Sequence, residues 1–360
     1  MRDRDDRQES GRAGVKPLAF LAVSSVTPHQ VVTIGHAIVD VLGHADDVFL
    51  TDHSLVKGSM ELVDEDRAVP LYSDMAGRAL HHGDDLLELS GGSSANTAVV
   101  ASILGARTAF IGKVRDDELG HVYAKDLGAV GVGFDTAFAP SGSIATGRCL
   151  INVTPDAERT MCTFLGAARG LRVPDIDGRL LSEAAVTYVE GYLWDELNAH
   201  EALETAIRIV KDSGQRFSFT LSDSFLVDRF RPGFIELIGA SVDILFANEH
   251  ELCALFETED LDDACRRIST MCEITTVTRG KLGSLVVSGE GIVHSEAQPV
   301  DAVIDTTGAG DAYAGGFLYA FTAGLSLERC ARIGNIAAAE VISHMGARPS
   351  SALGVMVHGA

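Results

Sequence analysis

"DTTGAGDAYAGGF", residues 305–317, places four glycines and two aspartates directly ahead of an apolar, alanine-rich run. The apolar run reads as a helix, and the segment before it as the junction from a strand. Open α/β sheets take their ligands at such junctions, outside the carboxyl ends of the strands. Gly308 and Gly310 allow positive φ and a close approach of the backbone, and a helix starting near Gly310 presents unpaired N–H groups and a positive dipole end. The stretch therefore suits an anion. Asp311, in the first helical turn, has two readings: a dipole-stabilising acid over a tightly packed helix, or an acid held at the mouth of a backbone cradle. The pattern G-x-x-x-x-G-K-[ST] is absent, and G-x-G-x-x-G fails because Tyr313 stands where its third glycine belongs.

Outward from this loop the chain alternates. "VVTIG" (31–35), "RTAFIGKV" (107–114), "AVTYVEGYL" (185–193), "VDILFAN" (242–248) and "ITTVTRG" (274–280) read as strands. Between them, "NTAVVASILGA" (96–106) and "ELNAHEALETAIRIVKDSG" (196–214) carry helical spacing and tend to end in glycine. The alternation predicts an α/β fold, a three-layer α/β/α core with a mostly parallel sheet. Residues 46–64 and 133–166 break it and read as short strands joined by turns, without helices. Two such insertions pair most economically into one small β-sheet lid, which leaves 30–45, 65–132 and 167–360 as the core. Residues 1–29, which open with the charge-mixed "MRDRDDRQESGR", read as a disordered tail.

A formal charge of −22 repels nucleic acid and anionic lipid. No apolar run reaches the roughly 18 residues of a membrane helix. Neither nucleic acid nor membrane is expected as a partner. The six cysteines show no C-x-x-C spacing and read as reduced thiols of a cytoplasmic protein.

The run 305–317 resembles the C-terminal motif of the ribokinase-like (PfkB-type) sugar and nucleoside kinases, and "GGSSANTA" (91–98) resembles their upstream double-glycine motif. "IGHAIVD" (34–40), "GYLWD" (191–195), "TLSDSF" (220–225), "FANEHE" (246–251) and "NIAAAEVISHMGA" (335–347) are similar to the bacterial adenosine-kinase branch. The resemblance implies ATP-dependent phosphorylation of the 5′-hydroxyl of a purine nucleoside, adenosine above all. Inosine, guanosine or a free sugar are the alternative acceptors, and a nucleoside sensor without turnover is a reading from another class.

In that family Asp311 serves as base, the backbone of Gly308, Ala309 and Gly310 as anion hole, and Arg159 reaches the transferring phosphate. Asp40, closing the first core strand, would accept two vicinal ribose hydroxyls, with Gly91, Gly92 and Asn96 on the same sugar; charge-assisted bonds make a carboxylate apt for a cis-diol. Trp194 would flank the base, or equally belong to the core. His36 stands where the branch carries asparagine, which leaves the preference for adenosine open. Asn248 and Glu251 read either as a helix capping box or, by resemblance, as the pair that organises Mg²⁺ through water. Thr278, Gly280 and Asn335 would meet ATP. Asp305 would join backbone carbonyls around a monovalent cation such as K⁺. Monomer and homodimer both fit the resemblance.

Overall fold

The computed structural model describes residues 29–156 and 158–359; apart from His29, the segment expected to be a disordered tail lies outside them. Its strands are β1 (His29–Ile34), β2 (Ile38–His44), β3 (Met60–Leu62), β4 (Leu87–Gly91), β5 (Thr108–Ile111), β6 (Val132–Gly133) and β7 (Gly147–Val153). They continue with β8 (Arg159–Phe164), β9 (Ala184–Glu190), β10 (Arg216–Thr220), β11 (Ile244–Asn248), β12 (Ile274–Thr278), β13 (Ser284–Ser288) and β14 (Gly291–Ser295).

Nine strands form the main sheet in the order β14-β13-β12-β11-β10-β9-β1-β5-β6. It is parallel from β6 through β12 and antiparallel only at β12–β13 and β13–β14. Period-two alternation sends Leu245 and Ala247 of β11 to one face, against Leu203, Phe234 and Leu252, while Ile244 and Phe246 meet Phe317 and Ile336 on the other. Helices on both faces of a mostly parallel sheet complete the predicted three-layer α/β core. The chain leaves β1 towards β5 and returns to β9 on the other side, so the strand order reverses at β1. Ligands of such sheets bind at that switch point.

The second sheet, β3-β8-β7-β2-β4, differs from the expected insertions. Residues 46–64 hold a helix, Asp47–Asp52, capped by the Asp46 side chain on Phe49 N–H, and contribute only three strand residues. Six residues are too few for a helical period to show in sequence. The sheet instead draws β2 and β4 from stretches assigned to the core. Only Gly35, His36 and Ala37 separate β1 from β2, so one apolar run supplies strands to both sheets. Asp40 therefore lies on the second sheet and does not close a core strand. On β2, Val39 and Val41 pack with Leu71 and Met75, which turns Ile38 and Asp40 to the opposite face.

No helix among the described residues is long and apolar enough to cross a membrane. The six cysteines are free thiols.

Candidate active site

A cavity of about 730 Å³ opens between the two sheets, over the carboxyl ends of β9, β10, β11 and β12. Its wall includes His36, Asp40, Gly92, Asn96, Asn248, Glu251, Thr278, Gly308, Ala309, Gly310 and Asp311, which the sequence had singled out separately.

Two helices bring the glycine motifs together. Ser93–Ile103 starts after Gly92, and Ala309–Thr322 starts after Gly308, whose φ is 76°. Gly315 lets the helices approach closely: a Cβ there would lie 2.6 Å from the Thr97 carbonyl oxygen. Their N-termini consequently meet at Asp311. Ser93 Oγ donates to Asp311 Oδ1 at 2.6 Å, and Asn96 Nδ2 donates to Oδ2 at 3.0 Å. Burial raises the pKa of Asp311, against the lowering effect of these two donors and of Arg348. Asn96 thus holds the aspartate with its amide nitrogen, while its buried Oδ1 has no partner among the described residues.

Beside the carboxylate, the N–H groups of Gly308, Gly310 and Asp311 meet no acceptor among the described residues, whereas that of Ala309 bonds the Thr306 carbonyl at 3.2 Å. The open donors of the cradle therefore skip Ala309. Gly92 has φ 93° and ψ 138°, and a Cβ on it would fall on the His36 carbonyl oxygen. Gly91 abuts Asp40 so closely that a Cβ on it would lie 2.5 Å from Oδ2. The Asp40 carboxylate accepts no hydrogen bond from the described residues, and burial pushes its pKa up to about 6.

Glu190, at the end of β9, is a cavity residue that sequence reading missed. It is 1% exposed and accepts the N–H groups of His36 at 2.8 Å and Ser94 at 2.9 Å, which ties the β1–β2 turn to the start of Ser93–Ile103. Burial raises its pKa to about 7. An acid ending an otherwise apolar strand, "AVTYVE", is the signal that could have found it. His36, also buried, keeps Nδ1 3.4 Å from Glu190 Oε1, leaves Nε2 without a partner among the described residues, and has its pKa lowered by burial to about 4.

Asn248 and Glu251 form the capping box. Asn248 Oδ1 accepts Glu251 N–H at 2.8 Å, Glu251 Oε2 accepts Asn248 N–H at 2.9 Å, and Asn248 Nδ2 donates to Oε1 at 2.7 Å. Each Glu251 oxygen has one bond, so lone pairs remain for water; this suits a hydrated Mg²⁺ held at one remove. Burial raises the pKa of Glu251 to about 7, which a nearby cation would oppose.

Other expected residues lie elsewhere. Trp194 stacks edge-on against Phe219 and Phe234 and packs on the core, outside the cavity wall, because the turn Gly191–Asp195 directs Tyr192 and Asp195 inward instead. Asn335 donates to the Ser295 carbonyl at 3.2 Å, the Ser295 hydroxyl at 3.0 Å and the Glu296 carbonyl at 3.0 Å, which fixes the end of β14. Neither it nor Gly280 lines this cavity. Arg159 pairs with Asp305 and donates to Thr307 Oγ1 at 3.2 Å, at the foot of the glycine loop. Asp305 also accepts the N–H groups of Thr307 at 3.0 Å and Gly346 at 2.8 Å. The Asp305 carboxylate is thus held by a guanidinium and two backbone N–H groups.

An α/β switch-point cavity with open N–H donors, and an aspartate fixed between two helix N-termini, suits the transfer of a phosphoryl group to an alcohol. Residues 59–352 match the pfkB family carbohydrate kinases, and the chain belongs to that family. Its structure resembles adenosine kinase from Sinorhizobium meliloti with a TM-score of 0.82 and 44% identity, covering 92% of this chain and 99% of that one. Adenosine kinase 2 of Arabidopsis thaliana is 26% identical over 87% of this chain and 93% of its own length. An uncharacterized sugar kinase of Archaeoglobus fulgidus is 31% identical over 69% of this chain and 96% of its own. The protein is an ATP-dependent phosphotransferase acting on the hydroxyl group of a nucleoside or sugar.

Proposed function

We propose that the protein phosphorylates the 5′-hydroxyl of a purine nucleoside, adenosine first, with Asp311 as general base. The observation that carries this reading is the fixing of Asp311 by Ser93 and Asn96 beside open backbone donors, in the same cavity as the unpartnered Asp40.

Asp40 would accept the two ribose hydroxyls, and the free Asn96 Oδ1 would take a further O–H, which sets the sugar's primary alcohol towards Asp311. Asp311 takes that proton as the oxygen bonds to the γ-phosphorus and the bond to the β–γ bridging oxygen breaks, so that ADP leaves with that oxygen. In a loose transition state the proton leaves late, so the placement of the carboxylate matters more than its basicity. The N–H groups of Gly308 and Gly310 face the charge that develops on the phosphoryl oxygens. Arg159 would add to them on leaving Asp305. Mg²⁺ held through water by Asn248 and Glu251 would offset the negative charge of the ATP phosphates, with Thr278 beside them. The second sheet, which supplies Asp40, would act as the lid that excludes water.

A base pocket is supported by the apolar part of the wall: Ile38, Leu165, Tyr192, Phe225 and Leu226 offer a surface that a free sugar does not need. His36 is neutral at physiological pH, and a proton on Nδ1, towards Glu190, leaves Nε2 an acceptor.

A coupled assay of ADP release with Mg-ATP against adenosine, inosine, guanosine, ribose and fructose tests the reading. Turnover of a purine nucleoside at the highest kcat/KM is expected. Activity confined to free sugars would reject the nucleoside reading, and tight nucleoside binding without turnover would favour the sensor.

A further inference from the structure

Arg348 follows the long helix Leu327–Val341 and reaches back to the second sheet. Its Nε donates to the Ser90 carbonyl at 2.7 Å, and its Nη2 to the Ser90 hydroxyl at 2.7 Å and to the same carbonyl. Ser90 N–H in turn donates to Asp126 at 2.9 Å, and Tyr123 Oη donates to the Gly91 carbonyl at 3.1 Å. Three side chains from two distant segments therefore clamp the residues just before Gly92. Gly91, inside that clamp, is the residue against which the Asp40 carboxylate rests.

We propose that Arg348 is a positioning residue for the phosphoryl transfer, a role that rests on the reading of Asp40 and Asp311 above: its guanidinium fixes the Gly91–Gly92 turn under Asp40 and supplies positive charge to both carboxylates. The fork geometry of arginine suits the first task, because two nitrogens grip one residue, and its permanent charge suits the second. Electrostatics agree with the geometry. Burial drives both aspartates towards the protonated form, and Arg348 opposes that at each.

The surrounding charges leave this task to few groups. Asp311 is faced by Ser93 and Asn96, and its charge is felt by Tyr188 and Glu190 of β9. Asp40 is faced by Arg348 and Arg159, with Asp311 and Asp305 acting against ionisation. Arg348 itself is faced by Tyr123, Asp126, Asp40 and Asp311. Arg159 is the other cation in this set, and it is already paired with Asp305.

The test compares wild type, Arg348→Gln and Arg348→Lys in ADP-release kinetics from about pH 5 to about pH 9, with melting temperatures measured alongside. Loss of the charge raises the pH at which the carboxylates ionise, so the acid limb of kcat/KM in R348Q should move up by about one pH unit. KM for the acceptor should rise roughly tenfold in both variants, since neither keeps the fork on Ser90. R348K, which keeps the charge, should restore most of the acid limb. A purely structural role would lower the melting temperature and leave the limb in place; that result, or a wild-type KM in both variants, would overturn the proposal. If R348Q does not fold, the KM of R348K decides. A wild type without turnover on any acceptor would sink the reading of the site together with this inference, whereas an active wild type with indifferent variants would sink the inference alone.

Discussion

Ser93 and Asp311 stand 218 positions apart in the chain, yet Ser93 Oγ donates to Asp311 Oδ1 at 2.6 Å. The bond joins the first turns of two helices and is one of two that aim the carboxylate into the cavity. Ser93→Ala removes a donor to a charged acceptor, an interaction of roughly 1.5–3 kcal/mol. Because that donor lowers the pKa of Asp311, its loss lets the carboxyl titrate higher, and the acid limb of the pH–rate profile should move to higher pH. With placement also relaxed, kcat at neutral pH should fall roughly 10- to 100-fold, as initial rates across pH would show. An unmoved limb with unchanged kcat would mean that Ser93 plays no part in aiming the base.

Asp40 trades stability for binding. Its carboxylate meets no hydrogen-bond donor among the described residues, and desolvation pushes its pKa up to about 6 from the ordinary value of 3.8. The folded chain therefore holds more protons than the unfolded one between these values, and stability falls as pH rises through that window. Asp40→Asn should be more stable than wild type at about pH 8, by at most roughly 3 kcal/mol, with the gain vanishing towards about pH 4. Its KM for the acceptor should rise at least roughly 100-fold, since the amide gives up the charge-assisted bonds. Paired denaturant melts at the two pH values and Michaelis curves check both parts. A variant less stable than wild type at high pH would contradict the account.

Gly92 sits at φ 93° and ψ 138° with the His36 carbonyl oxygen where a Cβ would be. Gly92→Ala therefore meets both backbone strain, roughly 1–3 kcal/mol, and a backbone oxygen that has to move. Melting should show a loss at or above that range, and KM for the acceptor should rise because the displaced turn carries Asp40's neighbour Gly91. Wild-type stability would show that the turn relaxes freely.

The glycine loop and the double glycine were legible in the sequence as local patterns, whereas Asp40 was singled out only through the family resemblance. The alternation of strands and helices likewise carried the main sheet. The parting of β1 from β2 was not legible, since Gly35, His36 and Ala37 make a break of only three residues in an apolar run, and this hid the membership of Asp40 in the second sheet. Arg348 gives no local signal at all: its partner, Ser90, is 258 positions away. Trp194 misleads for a related reason, since "GYLWD" carries two aromatics and only the fold decides that Tyr192 faces the cavity while Trp194 packs on Phe219 and Phe234.

The central claim is that Asp311 takes the proton of the acceptor hydroxyl, and Asp311→Asn tests it most directly. The amide keeps the size of the side chain and loses the base. Single-turnover ADP formation and nucleoside binding by calorimetry should be measured on the same preparation. The account predicts a fall in kcat of several orders of magnitude, about 10³-fold or more, with nucleoside affinity within a few-fold of wild type. Near wild-type turnover in this variant would contradict it.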